Sequence, residues 1–373
     1  MNPARINSYR LWKLELPTGR PIGDCTCCYE ALDCVALALE TDCGVTGWGF
    51  GETVSRGRFA KPAPWITPMA SLAEINAEFE RSIWPQIHDH NPYSLWMHRP
   101  TLFAGFGYLP AAVRIAFWDL MAKLAGLPLH RFLGSEELNP RVRAYGSGLD
   151  FPLEEERALE IFRGFVARGF QAVKVKVGHP DRNRDLRRLQ AVREAVGEGI
   201  EIAIDANEAW TCDEAIDRIT FFLHAGVRLA YVEDPLSRTD LDGFARLSKS
   251  VAVDIAGHDY IQSAAELRRF VERGAFRRLR VPAHPDQWQA CGEIATDFDI
   301  RLILGNSLFE MGVHAAVALP FVDRIEFSDL NWNLLPEHPV QFENGYAIAP
   351  SRPGHGLDPN AEWLERLSRP EAS

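Results

Sequence analysis

From residue 142 onward, short apolar runs alternate with charged segments of helical periodicity. An apolar run followed by a helical segment is the pattern of a βα unit, and its repetition is typical of a parallel sheet. Eight such runs predict a (β/α)8-type (TIM-type) barrel, an α/β fold whose catalytic residues lie at the carboxyl ends of the strands. The runs end near Tyr145, Lys176, Asp205, Glu233, His258, Val281, Leu304 and Glu326.

An open, doubly wound sheet is the alternative to a barrel. Such a sheet usually carries the glycine-rich phosphate turn Gly-x-Gly-x-x-Gly after its first strand. The segment Tyr145-Gly146-Ser147-Gly148 stands at that place and does not fit the pattern. The barrel is therefore the better prediction.

The first part of the chain follows a different pattern. Asp33–Glu40 and Val45–Glu52 read as two strands joined by the turn Thr41–Gly44, which predicts a β-hairpin. Helical spacing follows in Ser71–Ile87 and in Ala111–Ala125. Antiparallel strands followed by helices predict an α+β unit.

The last part of the chain is rich in proline and glycine, as in Pro353-Gly354-His355-Gly356. It is too irregular to form a domain, and we expect it to pack back on the N-terminal unit. The predicted organisation is an N-terminal α+β capping domain over residues 1–135, a modified barrel over residues 136–330 and a C-terminal segment over residues 331–373 that completes the cap.

Composition and charge exclude several classes of partner. The formal net charge of −11 argues against nucleic acid or an anionic membrane as the main partner. No stretch is apolar enough to span a membrane, and the first residues lack a secretory apolar core, so a cytoplasmic location is expected. Five of the seven cysteines precede residue 51, but Cys-x-Cys-Cys without a second pair lacks the spacing of a zinc site.

Charged residues end three successive apolar runs of the predicted barrel. Lys174 and Lys176 share one side of a strand because strand side chains repeat every two residues. Asp205 and Glu233 end the next two strands and offer oxygen ligands that suit Mg²⁺. Repulsion between the lysines, with a metal nearby, is expected to lower their pKa values and make one of them a base. The alternative for any single residue is an ordinary salt bridge between strands and helices.

Taken together, the motifs of the chain resemble the mandelate racemase and muconate lactonizing enzyme branch of the enolase superfamily. The resemblance covers nearly the whole chain, with its motifs in the same order. They are Thr41-Asp42-Cys43-Gly44-Val45-Thr46-Gly47-Trp48-Gly49, Ala116-Phe117-Trp118-Asp119-Leu120 with Lys123, Lys174-Val175-Lys176, Asp205-Ala206-Asn207, Glu233-Asp234-Pro235 and Pro353-Gly354-His355-Gly356-Leu357.

The resemblance implies Mg²⁺, or Mn²⁺ or another divalent metal in its place, bound by Asp205, Glu233 and a third carboxylate. It implies that Lys176 removes the α-proton of a small-molecule carboxylate substrate. Lys174 and Asn207 would then lie near the substrate carboxylate. Glu326 would match a family glutamate that hydrogen-bonds the intermediate as a neutral acid. A homo-oligomer is also implied.

Two positions depart from the family pattern. The third metal ligand, normally glutamate, is replaced in Ala256-Gly257-His258-Asp259, so either His258 or Asp259 is expected to serve, or His258 is only a polar residue at a strand end. The base on the opposite face is also missing, because Asn306 cannot take up a proton at neutral pH. His284 is a candidate substitute, as is Asp286.

The reaction expected from these residues is a dehydration. We predict a metal-dependent lyase that removes the α-proton of a hydroxy-carboxylate resembling an acid sugar and passes through an enediolate. A dehydratase needs one base, whereas a racemase in this scheme needs bases on both faces. The alternatives are a racemase or epimerase with an unusual second base, and a non-catalytic ligand-binding member of the family.

Overall fold

The computed structural model describes residues 4–54, 57–59, 68–99, 107–258, 261, 263–281, 285–305, 309 and 311–368. Within these residues no helix combines the length and the apolar character needed to cross a membrane.

The N-terminal unit is a twisted antiparallel sheet covered by helices. The predicted hairpin is confirmed, since β2 and β3 pair from Asp33 opposite Thr53 to Glu40 opposite Thr46. Helix α4 packs so closely on β3 that a side chain at Gly49 would collide with the carbonyl oxygen of Ala112. The elements are β1 (Ile6–Gly23), β2 (Cys27–Thr41), β3 (Thr46–Thr53), β4 (Arg58–Phe59), α1 (Leu72–Ser82), α2 (Trp84–Ile87), α3 (Pro92–His98), α4 (Tyr108–Leu124) and α5 (Leu129–Phe132).

Eight parallel strands of the described chain close a barrel. Neighbours pair in sequence order, and the last strand pairs with the first through Glu326 opposite Tyr145. Each expected strand end falls in or within one residue of such a strand. The strands are β5 (Arg141–Ser147), β6 (Ala172–Lys176), β7 (Glu201–Asp205), β8 (Val232–Glu233), β9 (Ile255–Gly257), β10 (Arg278–Val281), β11 (Arg301–Leu304) and β12 (Val322–Phe327).

Helices alternate with these strands and cover the barrel with an apolar layer. Capping side chains start several of them; for example, Thr211 and Glu214 form a reciprocal capping box at the start of α8. The fold is therefore the predicted α/β barrel with a cap. The helices are α6 (Glu155–Ala167), α7 (Arg182–Val196), α8 (Cys212–His224), α9 (Leu241–Ser250), α10 (Ala264–Glu272), α11 (Pro285–Phe298) and α12 (Val313–Ala318).

The C-terminal segment returns to the N-terminal unit, as expected. Gly354 bridges to Pro128, and Ser368 bridges to Leu14. The elements of this segment are a 3-10 helix (Asn331–Leu334), β13 (Gln341–Glu343), β14 (Tyr346–Ile348), which pairs with β5, and α13 (Ala361–Leu367).

The inside of the barrel is unusually polar. Such interiors are ordinarily filled by branched apolar side chains. Here alanines contributed by β6, β7 and β9 lie in one buried cluster with Tyr145, Tyr231 and Ile303. The fully buried guanidinium of Arg280 bonds to Tyr145 of this cluster. We infer that the small alanine side chains leave room for longer polar ones.

Candidate active site

The strand register brings the predicted charged residues together. Lys176 lies opposite Asp205, and Asp205 lies opposite Glu233, at the carboxyl ends of adjacent strands. All three residues are at most 5% exposed. Because charge is costly to bury, each of these groups requires a partner.

The ammonium group of Lys174 lies among three carboxylates. Its Nζ is 2.5 Å from Oε1 of Glu233, 3.1 Å from Oε1 of Glu326 and 3.4 Å from Oδ2 of Asp205. The three acids belong to β7, β8 and β12, so the ammonium group links strands that are far apart in sequence. These oxygens form a cradle for a cation.

Lys176 lies beside Lys174 and contacts the same aspartate. Its Nζ is 2.5 Å from Oδ2 of Asp205 and donates to Oδ1 of Asn207 at 2.9 Å. Asn207 follows β7 with a φ of +44°, and its backbone N–H donates to Oδ1 of Asp205. The structure thus brings Lys174, Lys176, Asp205 and Asn207 to one place.

Arg280 and Tyr145 also belong to this site, and their contacts there were not predicted from the sequence. Arg280 is fully buried, and its guanidinium contacts Oε2 of Glu326 at 3.0 Å and Oε2 of Glu233 at 3.4 Å. It also donates to Oη of Tyr145 at 2.7 Å, and Tyr145 donates to Glu326 at 3.0 Å. The sequence carried a signal for Arg280, since Arg278-Leu279-Arg280-Val281 places a charge inside a buried strand.

The contacts with carboxylates determine the direction of the lysine pKa values. Burial alone would lower the pKa of Lys176, but Asp205 outweighs both burial and the repulsion of Lys174 and raises that pKa. The pKa of Lys174 is also raised, since Glu233 and Glu326 outweigh its burial. Burial would raise the pKa of Asp205, yet Lys176 and Lys174 lower it to about 2. The expectation that a nearby metal, together with lysine–lysine repulsion, lowers the lysine pKa values stays a prediction.

The contacts of Glu326 with two cations favour its ionised form. Burial favours its neutral form, but Lys174 and Arg280 outweigh burial and lower the pKa of Glu326 well below its ordinary value. The predicted function of Glu326 as a neutral acid that hydrogen-bonds the intermediate stays a prediction.

His258 belongs to a neighbouring cluster. Its Nε2 lies 3.3 Å from Oε1 of Glu208 and its Nδ1 lies 3.4 Å from Oδ2 of Asp234. Burial lowers the pKa of His258, but Asp234 and Glu208 outweigh burial and raise it. Arg238 also pairs with Glu208 at 2.6 Å. The structure does not bring His258 together with Asp205 and Glu233 as a metal ligand.

The other candidates lie where the structure gives no description of the side chain. Asp259, the alternative third metal ligand, lies outside the described residues. The same holds for His284 and Asn306, and for the side chain of Asp286. Their predicted functions stay predictions.

The cap reaches the mouth of the barrel. The backbone N–H of Gly23 donates to the carbonyl oxygen of Leu149, just after β5. Sγ of Cys25 lies 3.2 Å from the carbonyl oxygen of Ala206, which follows Asp205. The turn between β1 and β2 therefore closes one side of the site.

Comparison with known families decides the relationship. Residues 14–134 match the family described as "Mandelate racemase / muconate lactonizing enzyme, N-terminal domain", and residues 157–363 match "Enolase C-terminal domain-like". The chain belongs to this family. The cap, the barrel and the site at the strand ends are thus those of an enolase-superfamily protein.

Relatives extend over the whole chain. A mandelate-racemase-type protein from Mesorhizobium loti has 36% identity and a TM-score of 0.89 over 99% of this chain and 96% of that chain. The 3,6-anhydro-alpha-L-galactonate cycloisomerase of Streptomyces coelicolor is 28% identical over 96% of this chain and 97% of that protein. The L-talarate dehydratase of Polaromonas sp. JS666, solved with Mg and L-glucarate, has 25% identity and a TM-score of 0.82 over 98% of each chain. Other relatives are named as dehydratases or epimerases.

The donor set of the barrel site fits a divalent metal. Asp205 and Glu233 supply buried carboxylate oxygens, the ligands that Mg²⁺ prefers. Their convergence with Glu326 on the ammonium group of Lys174 shows that this place holds positive charge. A metal ion held by Asp205 and Glu233 would compete with Lys174 and Lys176 for the same oxygens.

A second group of possible ligands lies at the cap. Among the described residues, ligand atoms of Asp119, His355 and Asp358 come within 4.8 Å of one another. However, Nζ of Lys123 lies 2.8 Å from Asp119 and 2.6 Å from Asp358, and so supplies the positive charge that these carboxylates need. Asp119 also accepts hydrogen bonds from the backbone N–H groups of Trp48 and His355. We interpret this group as structural.

Proposed function

We propose that the chain is a Mg²⁺-dependent lyase that removes the α-proton of a hydroxy-carboxylate and eliminates the β-hydroxyl group, as in the dehydration of an acid sugar. The observation that carries the proposal is the convergence of Lys174, Lys176 and Asn207 with the carboxylates of Asp205 and Glu233 at the barrel mouth. The dehydratases among the relatives support the same reaction class.

Each residue of the site has a distinct function in this proposal. Asp205 and Glu233 would hold the metal, which supplies positive charge beside the substrate carboxylate and so lowers the cost of removing the α-proton. Lys174 and Asn207 would orient the substrate carboxylate by hydrogen bonds. Lys176 would accept the α-proton at Nζ, and it can do so only when neutral. When Asp205 holds the metal, it would no longer pair with Lys176, so the contact that raises the lysine pKa would be lost.

Dehydration ranks ahead of racemisation because it needs one base. Lys176 supplies that base on one face of the substrate, and loss of the β-hydroxyl group then completes the reaction. The relatives also include epimerases, so an epimerase with a second base remains the alternative. The residue that assists the leaving group is unassigned.

A deuterium-exchange screen tests the proposed function. Acid sugars and amino-acid derivatives are incubated with the protein and Mg²⁺ in D₂O, and keto-acid formation and α-proton exchange are followed by NMR. We expect keto-acid formation with an acid sugar, and loss of exchange in Lys176→Ala. Lys249→Ala, at an exposed lysine of α9, is the matched control and should keep full activity. Exchange that survives in Lys176→Ala would exclude Lys176 as the base.

The non-catalytic alternative has its own test. Divalent metals are titrated into the protein, and thermal unfolding is measured with and without EDTA. Absence of specific metal binding under every condition, with a thermally stable metal-free protein and no turnover, would favour the ligand-binding alternative.

A further inference from the structure

Among the residues that the structure describes, the charged side chains of the barrel site neutralise one another. Three carboxylates, those of Asp205, Glu233 and Glu326, face three cations, and every contact between them is 3.4 Å or shorter. The cations are Lys174, Lys176 and Arg280, and none of the six side chains is more than 6% exposed. The formal charge of this set is therefore zero before any ligand binds.

Arg280 supplies the third positive charge of this set and so makes its formal charge zero. It comes from β10, which contributes none of the predicted metal ligands, and it contacts both Glu233 and Glu326. Because a guanidinium group stays protonated in proteins, its charge cannot be lost when conditions change. Without Arg280, the same set would carry one negative charge and would attract a cation by itself.

We propose that Arg280 makes binding of Mg²⁺ depend on simultaneous binding of an anionic substrate. This inference rests on the proposed function and deepens it. Two positive charges added to a neutral, buried set leave a surplus that is costly in a region of low dielectric constant. Negative charge on a bound substrate reduces that surplus and pairs with Lys174 when its ammonium group leaves Glu233.

The coupling is reciprocal. If the anion strengthens the binding of Mg²⁺ by a given factor, Mg²⁺ strengthens the binding of the anion by the same factor. Each ligand alone should bind weakly, and the two together should bind well.

Calorimetric titration measures this coupling. MgCl₂ is titrated into the wild-type protein with and without saturating malonate, with blank titrations to correct for the association of Mg²⁺ with free malonate. We expect the Kd for Mg²⁺ to fall at least about tenfold with malonate, which corresponds to about 1.4 kcal/mol. A smaller change overturns the proposal, and so does tight binding of Mg²⁺ alone.

Substitution of Arg280 provides the second arm. Arg280→Met should bind Mg²⁺ without malonate at least about tenfold more tightly than the wild type, since one negative charge is left over. Arg324→Met is the matched control, because Arg324 is also nearly buried on a barrel strand but pairs with Asp323 and Glu201 instead. It should leave the Kd for Mg²⁺ unchanged, and an equal effect in both variants overturns the proposal.

A variant that retains the charge covers the case in which Arg280→Met does not fold. Arg280→Lys should keep the dependence of Mg²⁺ binding on malonate, and the wild-type titrations decide the proposal by themselves. Failure of this inference is distinct from failure of the proposed function. In the first case Mg²⁺ binds independently of malonate while an acid sugar is still dehydrated, and in the second no substrate is turned over.

Discussion

Two buried polar clusters of this protein differ in where their hydrogen bonds go. The barrel cluster consists of Lys174, Lys176, Asp205, Glu233, Arg280 and Glu326, and the cap–tail cluster consists of Asp119, Lys123, His130, His314, His355 and Asp358. In the barrel cluster side chains pair mainly with side chains. In the cap–tail cluster side chains bond to the backbone at Trp48, Thr46 and His355. A side-chain partner can be exchanged for a ligand, whereas a backbone partner fixes the fold.

This difference also shows that closely spaced potential ligand atoms are not by themselves evidence for a metal site. The cap–tail cluster has three potential metal ligands within 4.8 Å of one another, but its charges and hydrogen-bonding groups already have structural partners. The barrel cluster lies at the carboxyl ends of barrel strands, where this fold places its chemistry. The comparison predicts that substitutions in the barrel cluster change activity and that substitutions in the cap–tail cluster change stability.

The largest effect is expected for Lys176→Arg. Arginine keeps the positive charge beside Asp205 but does not release its proton, so it separates ion pairing from proton transfer. We expect the rate of α-proton exchange to fall about 10²–10⁴-fold while the melting temperature changes little. NMR in D₂O and thermal unfolding measure the two quantities. Lys123→Arg is the control, and an equal loss of exchange there would break the comparison.

The next effect is expected for Asp119→Ala in the cap–tail cluster. Asp119 is fully buried and accepts from two backbone N–H groups as well as from Lys123. Its removal takes the side-chain acceptor from the two backbone N–H groups and one of the two carboxylate partners from Lys123, so the free energy of unfolding should fall by about 3–5 kcal/mol. Urea unfolding gives this value. A loss below about 1 kcal/mol, or a changed exchange rate per folded molecule, would contradict the structural interpretation.

A moderate, pH-dependent effect is expected from His314. It is fully buried, and burial lowers its pKa from 6.5 to about 3. The unfolded chain therefore binds a proton that the folded protein excludes, and stability should fall progressively from about pH 6.5 towards pH 3. His314→Gln should flatten the pH dependence of the unfolding free energy over this interval. His224→Gln, at an exposed histidine, should leave it unchanged, and the same slope in all three proteins would refute the assignment.

The smallest effect is expected for Asp358→Ala. Its carboxylate contacts Lys123 at 2.6 Å, but its side chain is 51% exposed. Exposed ion pairs contribute little, so the unfolding free energy should fall by less than about 1 kcal/mol. Chemical unfolding beside Asp119→Ala checks this. A loss of unfolding free energy as large as that of Asp119→Ala would mean that burial does not determine how much each aspartate contributes to stability.

Much of the fold could be predicted because the periodicity and spacing of apolar residues along the chain indicate its strands and helices. The eight strand ends followed from the alternation of apolar runs, and the two-residue repeat placed Lys174 and Lys176 at one site. The contacts of Arg280 could not be predicted in the same way, since they depend on which strands close the barrel. The partners of His258 depend on left-handed backbone conformations, with φ of +60° at Glu208 and +44° at Asp234. The cytoplasmic location and the homo-oligomer stay predictions.

The contacts that raise the lysine pKa values could not be predicted from the sequence, for an electrostatic reason. Sequence spacing revealed that two ammonium groups are neighbours, which suggests mutual repulsion. It did not reveal that Asp205 lies 2.5 Å from Lys176, and an ion pair at that distance outweighs repulsion from the other lysine.

The return of the C-terminal segment to the cap has a consequence for biosynthesis. Asp119 is synthesised early. The backbone N–H of His355, which donates a hydrogen bond to Asp119, leaves the ribosome only after the whole barrel has been synthesised. Domains generally fold from the N-terminus during synthesis. Here the cap cannot complete its buried contacts in that order, so the barrel strands must assemble beside an unfinished cap. Ribosomes stalled before and after residue 355 should therefore carry caps of different resistance to protease.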